Sequence, residues 1–151
     1  MGIAIGTNLW IRSRRFRHHE RVCFHLTAIE NSRPLDAALF RIKLSDLPNP
    51  NSGTDAVTLQ NGRHVLVYNH SDTEKVRYPL NVAVSRDGKS WDAAAVLETE
   101  PPGQYSYPAV IQASNGLVHV AYTWKRLRMK HMVLDPARFG SRRIVRGAWP
   151  E

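Results

Sequence analysis

The amino-acid sequence predicts an all-β fold. From about residue 45 onward, short runs with strand character alternate with turn signals at close intervals. Two stretches, 55–70 and 108–124, resemble each other, and each places an Asn-Gly turn between apolar runs. A third polar turn, SRDGKSW at 85–91, follows a run whose residues alternate in polarity. These observations predict a domain built from antiparallel strands and tight turns.

Length and composition fit one folded domain. The chain has 151 residues, of which 42% are hydrophobic and 23% charged, as is typical of globular proteins. No apolar run reaches the roughly 20 residues of a membrane helix. The opening stretch MGIAIGTNLW is short and its charges follow it, so we expect neither a signal peptide nor a transmembrane segment. Cys23 is the only cysteine, which excludes an intrachain disulfide and leaves the compartment undetermined.

The net charge of +8 comes from the two ends of the chain. Residues 1–45 hold eight Lys/Arg against three Asp/Glu, and residues 124–151 hold eight against two. The middle of the chain, residues 46–123, holds five Lys/Arg and eight Asp/Glu. Neither basic end interleaves aromatic residues in a recognisable RNA-binding pattern. We therefore expect no nucleic-acid partner and no membrane partner.

Residues 1–44 form a basic N-terminal segment that we leave unassigned, and residues 45–151 form the predicted strand domain. The stretch DAALFRIKL (36–44) fits a short helix or a strand equally well. HHERVCFH (18–25) superficially resembles a metal cluster, but it matches no recognised zinc spacing and has no partner pair downstream. We therefore expect no metal site.

The strand domain contains an internal repeat. Aligning Gly62 with Gly116 gives an offset of 54 residues, and the same offset aligns Tyr68 with Tyr122. Another strand-like run follows each hairpin. Several short strands repeating at this interval favour β-propeller blades, although a plain meander with two similar hairpins would give the same pattern.

Several stretches resemble a known family. SRDGKSW resembles the Asp-box of sialidases and related BNR-repeat proteins, Ser/Thr-x-Asp-x-Gly-x-x-Trp, but is one residue shorter because Asp87 and Gly88 are adjacent. Four longer stretches add to the resemblance: LPNPNSGTDAV (47–57), LVYNH (66–70), PLNVAVSRDGKSW (79–91) and YSYPAVIQASNGLVHVAYTWKR (105–126). In this order and spacing, over about residues 47–136, they are similar to the C-terminal part of the predicted-neuraminidase branch of the sialidase superfamily.

The resemblance implies a partial six-bladed β-propeller, of which this chain would hold about two to three blades. Ser85, Asp87 and Trp91 would then pin a turn between the outer strands of a blade, away from the active site. Residues 1–44 do not resemble the matching part of the family. We therefore expect a fragment, a truncated or misassembled version of a longer enzyme, whose unpaired sheet edge is open to self-association.

The resemblance also implies an activity, that of an exo-acting glycoside hydrolase on a terminal acidic sugar such as sialic acid. Sialidases use a tyrosine nucleophile, need no cofactor and act on carbohydrate. The stretch GQYSYPAV makes Tyr105 the first candidate for the nucleophile and Tyr107 the second, although each also fits an ordinary strand tyrosine. Relatives lead us to expect an acid at position 104, and Gln104 cannot act as a base.

Further candidates follow from the same resemblance. Asp55, before the first inner strand, would face the central funnel as an acid, a base or a sugar ligand, or would cap the NSG turn. Arg77 and Arg126 would clamp the substrate carboxylate, since the planar guanidinium suits bidentate binding; Arg126 also fits a solvated charge run. His119 could hydrogen-bond a sugar or simply fill a strand position.

We therefore predict a sialidase-like fold with weak or absent hydrolase activity. The competing class is a non-catalytic carbohydrate-binding or interaction module, because fold does not fix function. An acidic side chain on the Tyr105 hydroxyl would favour the enzyme. A funnel lined only by aromatic rings and amides would favour binding.

Overall fold

The computed structural model of the chain describes residues 21–23 and 44–151. In these residues the regular structure is β-strand, apart from one short 3₁₀ turn at Pro136–Arg138, and no α-helix occurs. The ten strands of this part of the chain are β1 (Arg21–Cys23), β2 (Leu44–Pro48), β3 (Asp55–Thr58), β4 (His64–Asn69), β5 (Leu80–Ser85), β6 (Trp91–Glu98), β7 (Tyr105–Gln112), β8 (Val118–Trp124), β9 (Arg128–Leu134) and β10 (Arg142–Arg143). The predicted all-β class is confirmed.

The largest sheet is a four-stranded antiparallel meander, β3-β4-β5-β6, extended by β10 on the outer edge of β6. We call it the first blade. Its two central strands are buried along almost their whole length. Burial on both faces explains why β4 and β5 carry nearly continuous apolar runs such as VLVY, since alternate residues enter two different cores.

The second blade is a three-stranded antiparallel sheet, β7-β8-β9. Burial alternates along its strands, so one face is covered and the other is open. Among the described strands β9 pairs only with β8, which leaves its other edge without a neighbour. Self-association through that edge remains a prediction.

The blades stack face to face around an apolar core. Val65 and Val67 of β4 and Val82 of β5 meet Val110 and Val120 of the second blade there. On the opposite face of the first blade, a smaller core joins the following residues: Leu47 of β2, Leu66, Tyr68, Ala83, Trp91, Ala93 and Ile144. The described sheets thus form an open stack without a closed ring, which is the predicted partial propeller.

The predicted repeat has a matching backbone geometry. Gly62 donates to the Leu59 carbonyl at 2.9 Å, and Gly116, 54 residues later, donates to the Ala113 carbonyl at the same distance. Both glycines have a positive φ, 79° and 86°, which is unfavourable for residues that carry a side chain. Both hairpins therefore close through a three-residue loop that ends in a left-handed glycine.

A C-terminal arm returns to the first blade. β10 pairs with β6, with Arg142 opposite Ala93, and the Ile144 amide donates to the Trp91 carbonyl at 3.0 Å. Trp149 then meets the His70 ring edge-on, with 5.2 Å between centroids. After β9 the chain therefore reinforces the first blade and does not add a fourth strand to the second.

The Asp-box turn lies between β5 and β6, the two strands of the meander that are farthest from the innermost strand β3, as the resemblance implies. The Asp87 carboxylate accepts hydrogen bonds from the Lys89 and Ser90 amides at 2.9 and 2.8 Å, and the Ser85 hydroxyl donates to it at 3.1 Å. Trp91, at the start of β6, is buried in the smaller core. Local hydrogen bonding thus accounts for these residues without any catalytic role.

The hydrogen bonds from Ser90, Lys89 and Ser85 hold the pKa of Asp87 at about 2, below its ordinary value. A carboxyl whose pKa is lowered by folding stabilises the fold above its unfolded pKa and loses that contribution as pH falls. We expect Asp87→Asn to cost about 1 kcal/mol at pH 7, a value discounted because the side chain is exposed. Chemical denaturation should show that the difference in free energy of unfolding between wild type and variant disappears between pH 4 and pH 2. A difference that stays constant with pH would contradict a stabilising role for the ionised Asp87 carboxylate.

Most of the N-terminal segment lies outside the described residues. This applies to the HHERVCFH stretch apart from β1, and to DAALFRIKL apart from Leu44. No helix in the described part of the chain has the length and apolar character needed to cross a bilayer.

Candidate functional site

The strand register gathers several loops at one end of the blades. Asn69 pairs with Leu80 in the first blade, and Tyr105 pairs with Trp124 in the second. The connections beyond these pairs therefore leave the sheets on the same side, opposite the Asn-Gly and Asp-box turns. We call this side the loop end. It comprises residues 49–54, 70–79, 99–104 and 125–127.

Tyr105 is enclosed at the loop end. Its side chain is fully buried, and its hydroxyl donates to the Glu100 backbone carbonyl at 3.1 Å. Burial raises the pKa of the phenol. Its backbone is held as well, because the Tyr105 backbone amide donates to the Arg77 carbonyl and the side-chain amide of Asn69 donates to the Tyr105 carbonyl. The candidate nucleophile is thus tied to a backbone carbonyl, and the Glu100 carboxylate pairs with Lys125.

Asp55 links the two blades. Its carboxylate accepts a hydrogen bond from the Val110 amide at 2.8 Å, across 55 residues of sequence. This bond joins the innermost strand of the first blade, β3, to that of the second, β7. From the sequence, Asp55 was expected either to face the funnel or to cap the NSG turn. Neither expectation included a bond to the second blade.

Arg77 lies between the blades at the loop end. Its backbone forms a bridge with Gln104, and its guanidinium carbon lies 5.8 Å from the centroid of the Tyr107 ring. Arg77 Nη1 and Gln104 Oε1 are both buried and have no hydrogen-bond partner among the described residues. Because a buried polar atom is costly without a partner, such groups indicate a ligand or a functional role.

Tyr107 supplies an exposed aromatic ring beside Arg77. It lies in a bulge of β7 with a φ of 53°, a conformation that costs free energy for a residue with a side chain. The ring also approaches Gly53, where an added Cβ would lie 3.4 Å from Tyr107 Cδ1. The strained bulge therefore directs this tyrosine outward while Tyr105 points inward.

Arg126 lies at the tip of the β8–β9 turn and is exposed. Lys125 and Arg126 both have positive φ, 50° and 57°, where two-residue hairpins normally use Asn-Gly. The Lys125 amide donates to the Gln104 carbonyl at 2.9 Å, so the turn borders the Arg77 bridge. The structure thus brings Arg126 to the same end of the blades as Arg77.

His119 does not reach the loop end. It lies near the Asn-Gly end of β8, where its Nδ1 is 3.0 Å from Nε2 of His131 and the two rings stack. The structure therefore gathers Tyr105, Tyr107, Arg77 and Arg126 at one end and leaves His119 at the other.

A phenol–carboxylate pair forms elsewhere, at a tyrosine that the sequence analysis did not select. The Tyr122 hydroxyl donates to Glu98 at 2.6 Å, and Lys130 donates to the same carboxylate oxygen. Burial alone would raise the pKa of Glu98, but hydrogen bonds from Lys130 and Tyr122 lower it on balance. Burial, and then the bond to Glu98, raise the pKa of Tyr122. The internal repeat, which aligns Tyr122 with Tyr68, was the only sequence signal that singled it out.

Within the described residues no group of three or more His, Cys, Asp or Glu side chains is arranged to hold a metal ion. Beside the Arg77 guanidinium, the loop end places the Gln104 amide and the Tyr107 ring. Such a set can bind an anionic or hydroxyl-bearing ligand.

A stack of short antiparallel meanders with an Asp-box turn defines the class of repeat proteins that build β-propeller blades. Comparison with known families agrees, because the model of the BNR repeat-like domain matches residues 8–120. The chain belongs to this family. The matched range begins inside the segment 1–44 that the sequence analysis left unassigned and ends before residue 136. No curated protein and no solved structure match the chain.

Proposed function

We propose that this chain is a sialidase-type module that binds a terminal sugar carrying a carboxylate, such as sialic acid, without hydrolysing it. The observation that carries the proposal is the Arg77 guanidinium, whose buried Nη1 lacks a partner among the described residues beside the exposed Tyr107 ring. A carboxylate would supply that partner through a charge-assisted hydrogen bond.

The neighbouring groups suit the rest of a sugar. The Gln104 amide oxygen, also buried and without a partner in the described structure, can accept from a hydroxyl. The Tyr107 ring offers an apolar surface to the face of a pyranose. The Tyr105 hydroxyl donates to a backbone carbonyl and not to an acidic side chain, which supports a binding module over a hydrolase.

Hydrolysis is the second candidate, and one observation favours it. Tyr105 begins the innermost strand beside Arg77, where the family resemblance expects the nucleophile. The contacts of its hydroxyl favour binding instead, since a phenol bonded to a backbone carbonyl has no carboxylate to take its proton.

The proposal is tested by titrating the purified chain with sialyllactose and with lactose, using saturation-transfer NMR and calorimetry. We expect binding of sialyllactose only. Arg77→Ala should weaken it by roughly 10- to 100-fold, the value of a hydrogen bond to a charged group. Arg128→Ala is the matched control, because Arg128 stacks on Trp124 and not on Tyr107, and it should leave binding within about twofold. Equal binding of lactose, or no effect of Arg77→Ala, would overturn the proposal.

A fluorogenic sialoside separates binding from hydrolysis. We expect no turnover by the wild-type chain or by Tyr105→Phe, in samples that bind sialyllactose. Turnover that disappears in Tyr105→Phe would instead establish the hydrolase and reassign Tyr105 as its nucleophile.

A further inference from the structure

Two histidines on the open face of the second blade form an imidazole pair that the sugar site does not use. His119 of β8 and His131 of β9 lie on adjacent strands, with 3.0 Å between His119 Nδ1 and His131 Nε2. Their ring planes are 21° apart and their centroids 5.2 Å apart. Strands β8 and β9 pair along their whole length without a register shift, so the sheet itself fixes the spacing of the two side chains.

Each ring turns one nitrogen toward the other ring. His119 Nε2 is buried and has no hydrogen-bond partner in the described part of the chain, so Nδ1 is the nitrogen of this ring that can bind a ligand at the surface. His131 is exposed, which leaves its ring free to turn about χ2. A neutral imidazole carries one proton on either nitrogen. With those protons on His119 Nε2 and His131 Nδ1, the two facing nitrogens offer their lone pairs to a single ion.

The spacing of the two nitrogens indicates which ion fits. Nitrogens held 3.0 Å apart and bonded to one metal at about 2.0–2.1 Å enclose an angle of roughly 95° at that metal. This is close to the right angle between neighbouring ligands of tetragonal Cu(II) and Ni(II), and it is smaller than the tetrahedral angle that Zn(II) prefers. Of these three ions, Cu(II) binds a given set of nitrogen ligands most tightly.

The immediate neighbours of the pair carry no charge. Ile111 and Val133 lie opposite His119, and Ala121 lies opposite His131. In a chain with a formal net charge of +8, this keeps fixed cations from directly facing either ring. Because the face is open to solvent, water can fill the positions on the ion that the two imidazoles leave free.

We propose that His119 and His131 chelate a Cu(II) ion through Nδ1 and Nε2, with water as the remaining ligands. The proposal does not depend on the sugar site, which lies at the loop end. It also differs from the HHERVCFH stretch considered in the sequence analysis, because the pairing of two strands, and not a spacing within one short stretch, brings the two ligands together.

Titration of the full chain with CuCl₂ against a chromophoric Cu(II) indicator tests the proposal, with Cys23 replaced by Ser so that no thiol reduces the ion. His119→Gln and His131→Gln should each weaken one equivalent of bound Cu(II) by roughly 100-fold or more, because the second imidazole binds intramolecularly. The double variant should lose no more than either single variant. Ions bound by the N-terminal histidines are common to all samples and cancel in the comparison.

His64→Gln is the matched control. The His64 ring also lies on a strand of this chain, but its Nδ1 is bonded to the Thr58 hydroxyl and not to a second imidazole. The control should leave the titration unchanged.

Each other outcome overturns the proposal. Identical titrations of the parent chain and of both single variants would place any bound ion elsewhere. A loss in only one variant, or an equal loss in His64→Gln, would mean binding by single imidazoles without a chelate. Footprinting with diethyl pyrocarbonate covers the case in which a variant fails to fold, because it leaves all histidines in place. At the Cu(II) concentration that fills the site, His131 should be protected from carbethoxylation and His64 should not; equal modification of His131 with and without Cu(II) would also overturn the proposal.

Discussion

Gly103→Ala should lower the free energy of unfolding by roughly 3 kcal/mol, the upper end of the cost of overpacking. A Cβ at this position would lie 2.5 Å from Tyr78 Cβ, 2.6 Å from Tyr105 Cε2 and 2.9 Å from the Glu100 carbonyl oxygen. Tyr105 cannot move aside, because it is fully buried and its hydroxyl is bonded to that same carbonyl. The substitution should also displace the loop that carries Arg77. Urea denaturation and the sialyllactose titration would measure the two effects.

Gly53→Ala is the matched control at the same end of the blades. Its Cβ would meet only the Tyr107 ring, at the ordinary contact distance of 3.4 Å. We expect a change in stability within about 0.5 kcal/mol, as for most surface substitutions. If Gly103→Ala were equally mild, the packing of Tyr78 and Tyr105 around Gly103 would be looser than described.

Tyr122→Ala should cost about 3–5 kcal/mol, the range for truncating a large buried aromatic residue. The side chain is fully buried between the blades, and its hydroxyl bonds to Glu98 and to the Met132 sulfur. Removing the ring opens a cavity in the main core and deprives Glu98 of one hydrogen bond. Chemical denaturation followed by tryptophan fluorescence would measure the loss.

Tyr122→Phe separates the contribution of the ring to stability from that of the hydroxyl. The ring keeps its packing and Glu98 keeps Lys130, so we expect a loss of only about 1–2 kcal/mol. Tyr68→Phe is a useful parallel, because Tyr68 is the repeat equivalent of Tyr122 and bonds to His70. Equal losses in Tyr122→Phe and Tyr122→Ala would show that the hydroxyl, and not the ring, carries the stability.

The turns were predictable from the sequence because their hydrogen bonds are local. In the Asp-box turn, Asp87 bonds to residues two or three positions away, and the two Asn-Gly loops close over three residues. Gly and Asp impose these conformations whatever the rest of the chain does. The hairpins and the repeat therefore follow from short stretches of sequence.

The contacts between the two blades were not predictable in the same way. The bond from Val110 to Asp55 spans 55 positions, and the bond from Tyr122 to Glu98 spans 24. The sequence identified Asp55 and Tyr105 as chemically capable residues. Which tyrosine meets a carboxylate depends on how the two blades stack, and no local pattern encodes that. The same limit applies to the C-terminal arm, whose partner β6 lies about 50 residues earlier.

The C-terminal arm sets the order in which the first blade can be completed on the ribosome. β10 is synthesised after every other described strand, yet it covers the outer edge of β6. At typical rates of translation, roughly 3–10 seconds separate the emergence of Ala93 from that of its partner Arg142. During that interval the edge of β6 is available to a neighbouring nascent chain. Slower translation should therefore lower the yield of soluble protein, and conditions that favour rapid completion of the chain should raise it.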